Sequence, residues 1–459
     1  QGFIIPFFIL RCYPTPTTAK CEVYKETHHY PQYPPHHHLT AAAEMGKSSA
    51  TASSKRKNSG GGSSSSSRTL RFEDGATQFR QRIVVSLLSH RPLLIRNIRA
   101  DDLQNPGLKD YEASFLRLID QLTNGSKIEI NSTGTQLRFH PGTLLGGTDL
   151  EHSCPDSRSI GWFLEGILPL APFGKESLAI TFTGITDGLC QVDPSADYWN
   201  RSGLPLFSAF GIGVENDFDE EKPQIRVLQR AAAPESEGNG KVLFTCPIVK
   251  QLQSIDMVDP GKIKRIRGTA ISCKIVSSSM AARVAYAAKG IFHKLLPDVW
   301  IHTDVHTSKR HRCGPSPGIM MVVSSESTTG IILTAECCMD HRQHQQGVNT
   351  DSSLIPSKTG LEIPEDLGKR GACMLLEEIR RGGCIDTSCQ SLAFLWMALT
   401  PEDVSRIRVG TLSQYSIETL RLIKHAFDVE FKVTPDLESK TVLLSCLGTG
   451  YRNMAKAST

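Results

Sequence analysis

One succession of secondary-structure signals is written twice in this chain, and it restricts the fold more than any composition could. Phe79–Ser89 places Phe79, Ile83, Leu87 and Leu88 on one helical face, Pro92 ends the helix, and Leu93–Ile98 reads as a strand. A second helix over Tyr111–Leu122 stops at Asn124-Gly125, and strands Lys127–Asn131 and Gln136–His140 follow around Thr133-Gly134. Near the C-terminus the order returns: helix Ser388–Leu399, a break at Pro401, strand Arg406–Val409, helix Ser416–Phe427, then strands Val429–Val433 and Lys440–Cys446. A fainter middle copy has a helix over Ile160–Leu170, a strand over Ser177–Thr183 and a second helix across Ala196–Phe210. Three copies of one α/β unit predict an internally repeated domain whose copies bury a shared core.

A different pattern separates the second and third copies. Strands at Ile271–Val276, Val299–Val305, Ile319–Ser324 and Gly330–Glu336, with an Ala-rich helix over Met280–Leu295, predict a small inserted β-α-β-β-β domain. The expected division is repeats one and two over 68–257, the insert over 258–340 and repeat three over 341–459. Residues 1–67 do not read as a domain: the Gly/Ser-rich run Gly60–Ser67 and the Pro/Tyr/His-rich stretch around His36–His38 cannot bury enough apolar surface to offset chain entropy. Met45 opens an ordinary beginning, so an over-extended gene model is the expectation for residues 1–44. Lys55-Arg56-Lys57 fits a nuclear localisation signal, but a solvated tail is the favoured reading.

Charge narrows the function. The chain carries +4 overall, but residues 1–67 hold seven Lys or Arg and three Glu, which leaves 44 basic and 44 acidic residues beyond them. A uniformly basic nucleic-acid binder is excluded, and RNA contact must come from local patches. No apolar run reaches the roughly 18 residues of a spanning helix. Phe3–Leu10 is short and interrupted by Pro6, so neither a membrane nor a secretory signal is expected. Thirteen cysteines without regular spacing read as reduced, buried thiols.

Several motifs then occur in a telling order: Arg99 and Asn105-Pro106-Gly107-Leu108, Phe139-His140-Pro141-Gly142, Gly146-Gly147, Phe163-Leu164-Glu165, Leu170–Gly174, Phe182–Thr186, Pro297-Asp298-Val299, the Gly314-Pro315 to Gly318 loop, and Leu375–Ile379. Together these resemble the RNA 3'-terminal phosphate cyclases over about residues 69–448. The resemblance implies an α/β (α+β) fold with three βαβαββ-type units forming a large domain, plus a small inserted α/β domain.

The cyclase chemistry implied by that family is missing here. Its members use a histidine that attacks ATP and carries AMP to the RNA 3'-phosphate, a two-step nucleophilic route. That histidine begins the third repeat's first helix. In this chain the stretch is Cys384–Leu399, where alignment on Gln390 puts Asp386 at the nucleophile position and ungapped alignment from Met397-Ala398-Leu399 puts Ser388 there. No histidine lies between His344 and His425. The family's Gly-rich nucleotide loop reads Glu73–Phe79 with most glycines gone, and bulky side chains there keep backbone from phosphate. Its second Gly-rich segment reads Arg230–Gly240, where Glu235 and Glu237 would repel phosphates. No cofactor is therefore expected.

Arg80–Val84, Lys109–Glu112 and Gly382–Asp386 are similar to the cyclase-like, non-cyclase branch. That likeness implies a nucleolar factor of the small-subunit processome, serving the pre-rRNA cleavages that release 18S rRNA. It implies a ribosome-biogenesis GTPase as partner, with the chain a monomer inside a large complex. A pre-rRNA endonuclease on the same fold is the alternative, and an active cyclase the least favoured reading.

Asp386 with Arg380 and Arg381 has the acid and cations for phosphodiester cleavage, but a helix cap by Asp386, Thr387 or Ser388 is the favoured reading. Lys262, Lys264, Arg265 and Arg267 alternate with Ile263 and Ile266, so one strand face is basic and suits phosphate or an acidic partner, or is simply solvated. Arg80 and Arg82 flank the old nucleotide loop as RNA or partner contacts, or as surface ion pairs. Lys309–Arg312 reads as a wet loop. Cys337, Cys338, His341 and His344 are poorly spaced for zinc, and no metal is expected.

Overall fold

Three four-stranded sheets share one order and one set of strand directions, so the repeat seen in sequence is a repeat in space. The computed structural model describes residues 69–189, 192–214, 222–274, 279–306, 313–339 and 363–453. The N-terminal tail, Lys309–Arg312, His341 and His344 lie outside the described residues. In the first unit β1 (Leu70–Phe72) runs parallel to β2 (Leu93–Ile95), β2 antiparallel to β5 (Leu137–His140), and β5 antiparallel to β4 (Lys127–Ile130). A short ribbon of β3 (Thr123–Asn124) and β6 (Thr143–Leu144) accompanies it. The second unit repeats the pattern with β7 (Gly147–Ser153), β8 (Leu178–Thr183), β10 (Lys241–Cys246) and β9 (Gln224–Gln229). The third does so with β11 (Asp256–Met257), β16 (Val404–Val409), β18 (Thr441–Leu447) and β17 (Lys432–Asp436).

Each unit sends two helical segments to one face. These are α1 (Phe79–Ser89) and α2 (Asp110–Leu122), then α3 (Ile160–Ile167) with the run α4 (Ala196–Tyr198), a π-turn (Trp199–Gly203) and α5 (Leu204–Ala209), and finally α8 (Gln390–Leu399) and α9 (Gln414–Phe427). Their apolar residues form one continuous core across all three units, from Ile83 through Phe163 to Phe394. Every residue of α8 is buried, which is why it shows no polar stripe: it is enclosed on all sides, and Trp396 meets Phe207 edge-on at 4.8 Å. The start of α2 is fixed by Glu112, which accepts the Lys109 backbone N–H at 2.9 Å and both Arg99 guanidinium nitrogens at 2.7 Å.

The small domain contains β12 (Ile263–Cys273), α6 (Ser279–Phe292), β13 (Val299–His306), β14 (Gly318–Ser327) and β15 (Ile332–Cys338), in the sheet order β13-β12-β14-β15. It has its own core, separate from that of the large domain. Two of the differences from the sequence expectation bear on how the units join. The two-residue β11 pairs with β16, so the third unit's first strand precedes the insert, and such a strand is too short to leave a pattern. Helix α7 (Pro364–Arg381), expected with the third repeat, instead packs Leu367, Ala372 and Leu375 into the small domain's core. No helix among the described residues is long and apolar enough to cross a membrane.

Candidate functional site

Residues expected to meet a nucleotide or RNA are, for the most part, turned inward to join the repeats. Arg80 on α1 is 7 % exposed. Its guanidinium donates to the Trp162 carbonyl at 2.6 Å and to Tyr415 Oη at 3.4 Å, pairs with Glu165, and stacks over the Trp162 ring at 4.6 Å. Gln81 donates to Glu165 at 3.0 Å and to Tyr415 Oη at 2.5 Å, and Tyr415 donates to Glu165 at 2.7 Å. One polar knot therefore draws on all three units, through α1, α3 and α9. Desolvation acts against the Arg80 charge, but Glu165 and Tyr415 outweigh it and raise its pKa. Close approach here requires Gly166, where a Cβ would lie 2.6 Å from the Phe115 ring and 2.9 Å from Arg80 Cδ.

Arg82 is buried as well. It donates to Gly75 O at 3.0 Å and Asp74 Oδ2 at 2.6 Å, and its guanidinium lies 4.1 Å from the Phe72 ring centre. It clamps the Glu73–Gln78 loop, and Gln78 ties that loop to α9 through Tyr415 O at 3.0 Å. The expectation that Arg80 and Arg82 contact RNA or a partner is corrected: both face the interior, because charges on a buried helix must find partners there.

Asp386 lies where the units and the insert meet, and is 1 % exposed. It accepts hydrogen bonds from Tyr198 Oη and Ser202 Oγ of the second unit, from Cys389 N at 3.1 Å, and from Thr334 N of β15 at 3.2 Å. The bond to Cys389 N is local, closing the turn that leads into α8, whose N-cap is Cys389, and the others are ties to distant segments. Burial pushes its carboxyl up to about 6, against the hydrogen bonds that favour the charged form. Cys389 Sγ is 3.1 Å from Ser202 Oγ, and burial pushes this thiol well above its ordinary value, so it is no thiolate nucleophile.

The acid-and-cation set imagined around Asp386 does not assemble. Arg380 pairs with Glu377 at 2.6 Å, and Arg381 pairs with Glu378 at 2.7 Å and donates to Thr387 Oγ1 at 3.1 Å. These are neighbours one turn back on α7, which outcompete a carboxylate enclosed by other units. Ser388 is exposed, with no side-chain hydrogen bond or ion pair to a described residue to activate it. Gln390 is buried and accepts from Ser416 Oγ at 2.7 Å, joining α8 to α9.

A second polar cluster seals the seam between the second unit and the small sheet. Ser195, which caps α4, donates to Glu336 of β15 through its backbone N–H at 2.8 Å and its hydroxyl at 2.5 Å. Arg230 is buried against Asp197 at 2.7 Å and Asp304 of β13 at 3.3 Å, with Asp187 3.9 Å away. Arg201 donates to Thr269 of β12 at 2.7 Å. Desolvation pushes Glu336 up to about 8 and Asp187 up to about 6. For Glu336 the sign is clear. Between an unfolded value of 4.5 and a folded value of about 8, the folded protein keeps a proton that the unfolded chain has released, so stability falls as pH rises through that window. Urea unfolding of the protein across that window is expected to show this decline, and Glu336→Gln is expected to flatten it.

Lys264, Arg265 and Arg267 sit on β12, a central strand, and meet carboxylates, while Lys262 just precedes the strand. Lys264 and Arg265 share Glu326 at 2.8 and 2.5 Å, and Arg267 pairs with Asp298 at 2.8 Å. A bulge between Ile263 and Arg265 lets the adjacent Lys264 and Arg265 reach the same carboxylate. Cys337 and Cys338 occupy opposite faces of β15, the first in the core under α7 and the second against Ile271, Met320 and Val322. Among the described residues no group of three or more His, Cys, Asp or Glu side chains could hold a metal. Sequence reasoning gave no role to Glu165, Tyr415, Tyr198, Ser202 or Glu336. The available signal was polar residues inside otherwise apolar helical and strand faces.

Comparison with known proteins gives a coherent result. The family model described as RNA 3'-terminal phosphate cyclase matches residues 71–433. A Dictyostelium discoideum protein named as a probable RNA 3'-terminal phosphate cyclase-like protein is 46% identical over 390 residues, 85% of this chain and 100% of that one. The human RNA 3'-terminal phosphate cyclase-like protein is 44% identical over 388 residues, 83% of this chain and 96% of that one. An rRNA processing protein of Schizosaccharomyces pombe is 38% identical over 384 residues, 83% of this chain and 96% of that one.

Proposed function

The chain belongs to the RNA 3'-terminal phosphate cyclase family, and from that premise we propose that it is a non-cyclase factor of ribosome biogenesis. It serves the pre-rRNA cleavages that lead to 18S rRNA, in the small-subunit processome of the nucleolus. There it acts as a binding partner of a ribosome-biogenesis GTPase and contacts pre-rRNA. The fission-yeast relative's name, an rRNA processing protein, supports the RNA side of this reading.

The observation that carries the reading is the state of the nucleophile position. Under one alignment it holds Asp386, a carboxyl with four hydrogen-bond donors and almost no exposure. Under the other it holds Ser388, exposed and without a base. Neither can form the phosphoramidate that AMP transfer requires. Loss of the loop glycines and the presence of Glu235 and Glu237 support the same conclusion. A nuclease built on Asp386 draws no support from so enclosed a carboxyl.

Two experiments test the proposal. Incubation with radiolabelled ATP is expected to leave the protein unlabelled, and covalently bound AMP would overturn the non-cyclase reading. Capture by the immobilised GTPase is expected from nuclear extract and from purified components, and failure with both would overturn the partner role.

A further inference from the structure

The small sheet has one corner that neither its own helices nor the large domain covers, and its chemistry is specific. Trp300 on β13 is 60 % exposed. Its ring lies 6.2 Å from that of His302, also exposed, at an interplanar angle of only 33°. Residues two apart on a strand share a face, so the two rings form one shelf. In register beside Trp300 is Arg267, and Arg267 in turn pairs with Ser324. β13 is the outer strand of the sheet among the described residues.

Charge on this corner is unbalanced. Lys264 and Arg265 share the single carboxylate of Glu326, Arg267 has Asp298, and Lys262 is exposed with no ion pair among the described residues. Four cations therefore face two carboxylates, beside two exposed rings. The rest of this sheet face is taken up by the seam: Thr269 holds Arg201, Glu336 holds Ser195 and Asp304 holds Arg230.

We propose that this corner, Trp300 and His302 with Lys262, Lys264, Arg265 and Arg267, is a platform for single-stranded RNA. Bases stack on aromatic and guanidinium faces, and phosphates meet the excess cations. The exposed tryptophan does not sit in an apolar patch of the kind that forms the buried core of a protein interface. Here its neighbours in the sheet are an arginine, a histidine and a serine. A duplex hides its base faces and cannot use the shelf. The inference rests on the RNA contact proposed above and assigns it a place.

The test uses the full chain, so the basic tail contributes equally in every variant. Fluorescence polarisation with a short labelled oligouridine measures affinity. Trp300→Ala is expected to weaken binding about five- to a hundredfold, the loss typical of one base–aromatic stack. Trp300→Phe should retain most of the affinity, and His302→Ala should fall between. Replacing Lys262 and Lys264 by serine should reduce the salt dependence, log K against log salt, by about 1.4 for two lost phosphate contacts. Thermal unfolding confirms that these exposed substitutions leave the fold intact. Unchanged oligouridine affinity for Trp300→Ala would overturn the platform. So would loss of GTPase capture with RNA affinity intact, which would give the corner to a protein. If wild type fails to capture the GTPase yet Trp300→Ala weakens RNA binding, the partner role fails and the platform stands.

Discussion

Replacing Asp386 by alanine is expected to destabilise the protein by about 3–5 kcal/mol, read as a lowered midpoint of urea unfolding. The side chain accepts from Tyr198, Ser202, Cys389 N and Thr334 N, and all four donors lie inside. A buried donor left without a partner costs about 1–3 kcal/mol. The loss is not four times that, because the hydroxyls can rotate: Ser202 and Tyr198 already lie 3.1 and 3.6 Å from Cys389 Sγ. The Thr334 N–H cannot rotate away from the loss, whereas Cys389 N keeps the Asp386 backbone carbonyl 3.3 Å away. Asp386→Asn keeps one acceptor oxygen and should recover part of the difference. An rRNA-processing defect in Asp386→Ala would therefore report a loosened junction between the second unit, the insert and the third unit. A variant that unfolds at the same urea concentration as wild type would refute this structural role.

Arg80→Ala is expected to cost a similar amount, about 3–5 kcal/mol, for a different reason. It leaves Glu165 charged and nearly enclosed, together with the Trp162 carbonyl and Tyr415. Breaking one side of such a pair is costly, whereas replacing both sides by apolar groups of similar volume is often neutral. Arg80→Met combined with Glu165→Leu should therefore be more stable than Arg80→Ala alone, and a double-mutant cycle on urea midpoints would show strong coupling. Additive effects would mean that the two charges do not depend on each other across the repeat interface. An RNA-binding role for Arg80 predicts the opposite pattern, with affinity lost and stability kept.

Both expectations concern residues whose chemistry was visible in the sequence but whose direction was not. The sequence offers Asp386 as an acid or a helix cap; in the structure the N-cap of α8 is Cys389, and Asp386 closes the preceding turn while tying distant segments together. Arg80 and Arg82 flank the Glu73–Phe79 loop, a position that in sequence suggests RNA or partner contacts or surface ion pairs. Nothing local indicated that α1 would be enclosed by α3 and α9. The basic residues of β12 were recognised, but the carboxylates that partly neutralise them lie 31 and 61 positions away. Trp300 gave no signal, because a single tryptophan on a strand is usually core.

The sequence by itself determined the repeated unit, its element order, the presence of an insert and the lack of any histidine between His344 and His425. Periodicity, turn residues and residue identity are local properties, and each survives whatever the chain does elsewhere. The tertiary structure alone decided which polar groups face one another. Tyr198 and Asp386 are 188 positions apart, and Arg80 and Tyr415 are 335 apart. Such pairings depend on how three amphipathic units share one core, and a buried charge takes whichever partner that packing brings within reach. The same packing decided that Arg80 and Arg82 face the interior, and which corner of the small sheet stayed open to solvent.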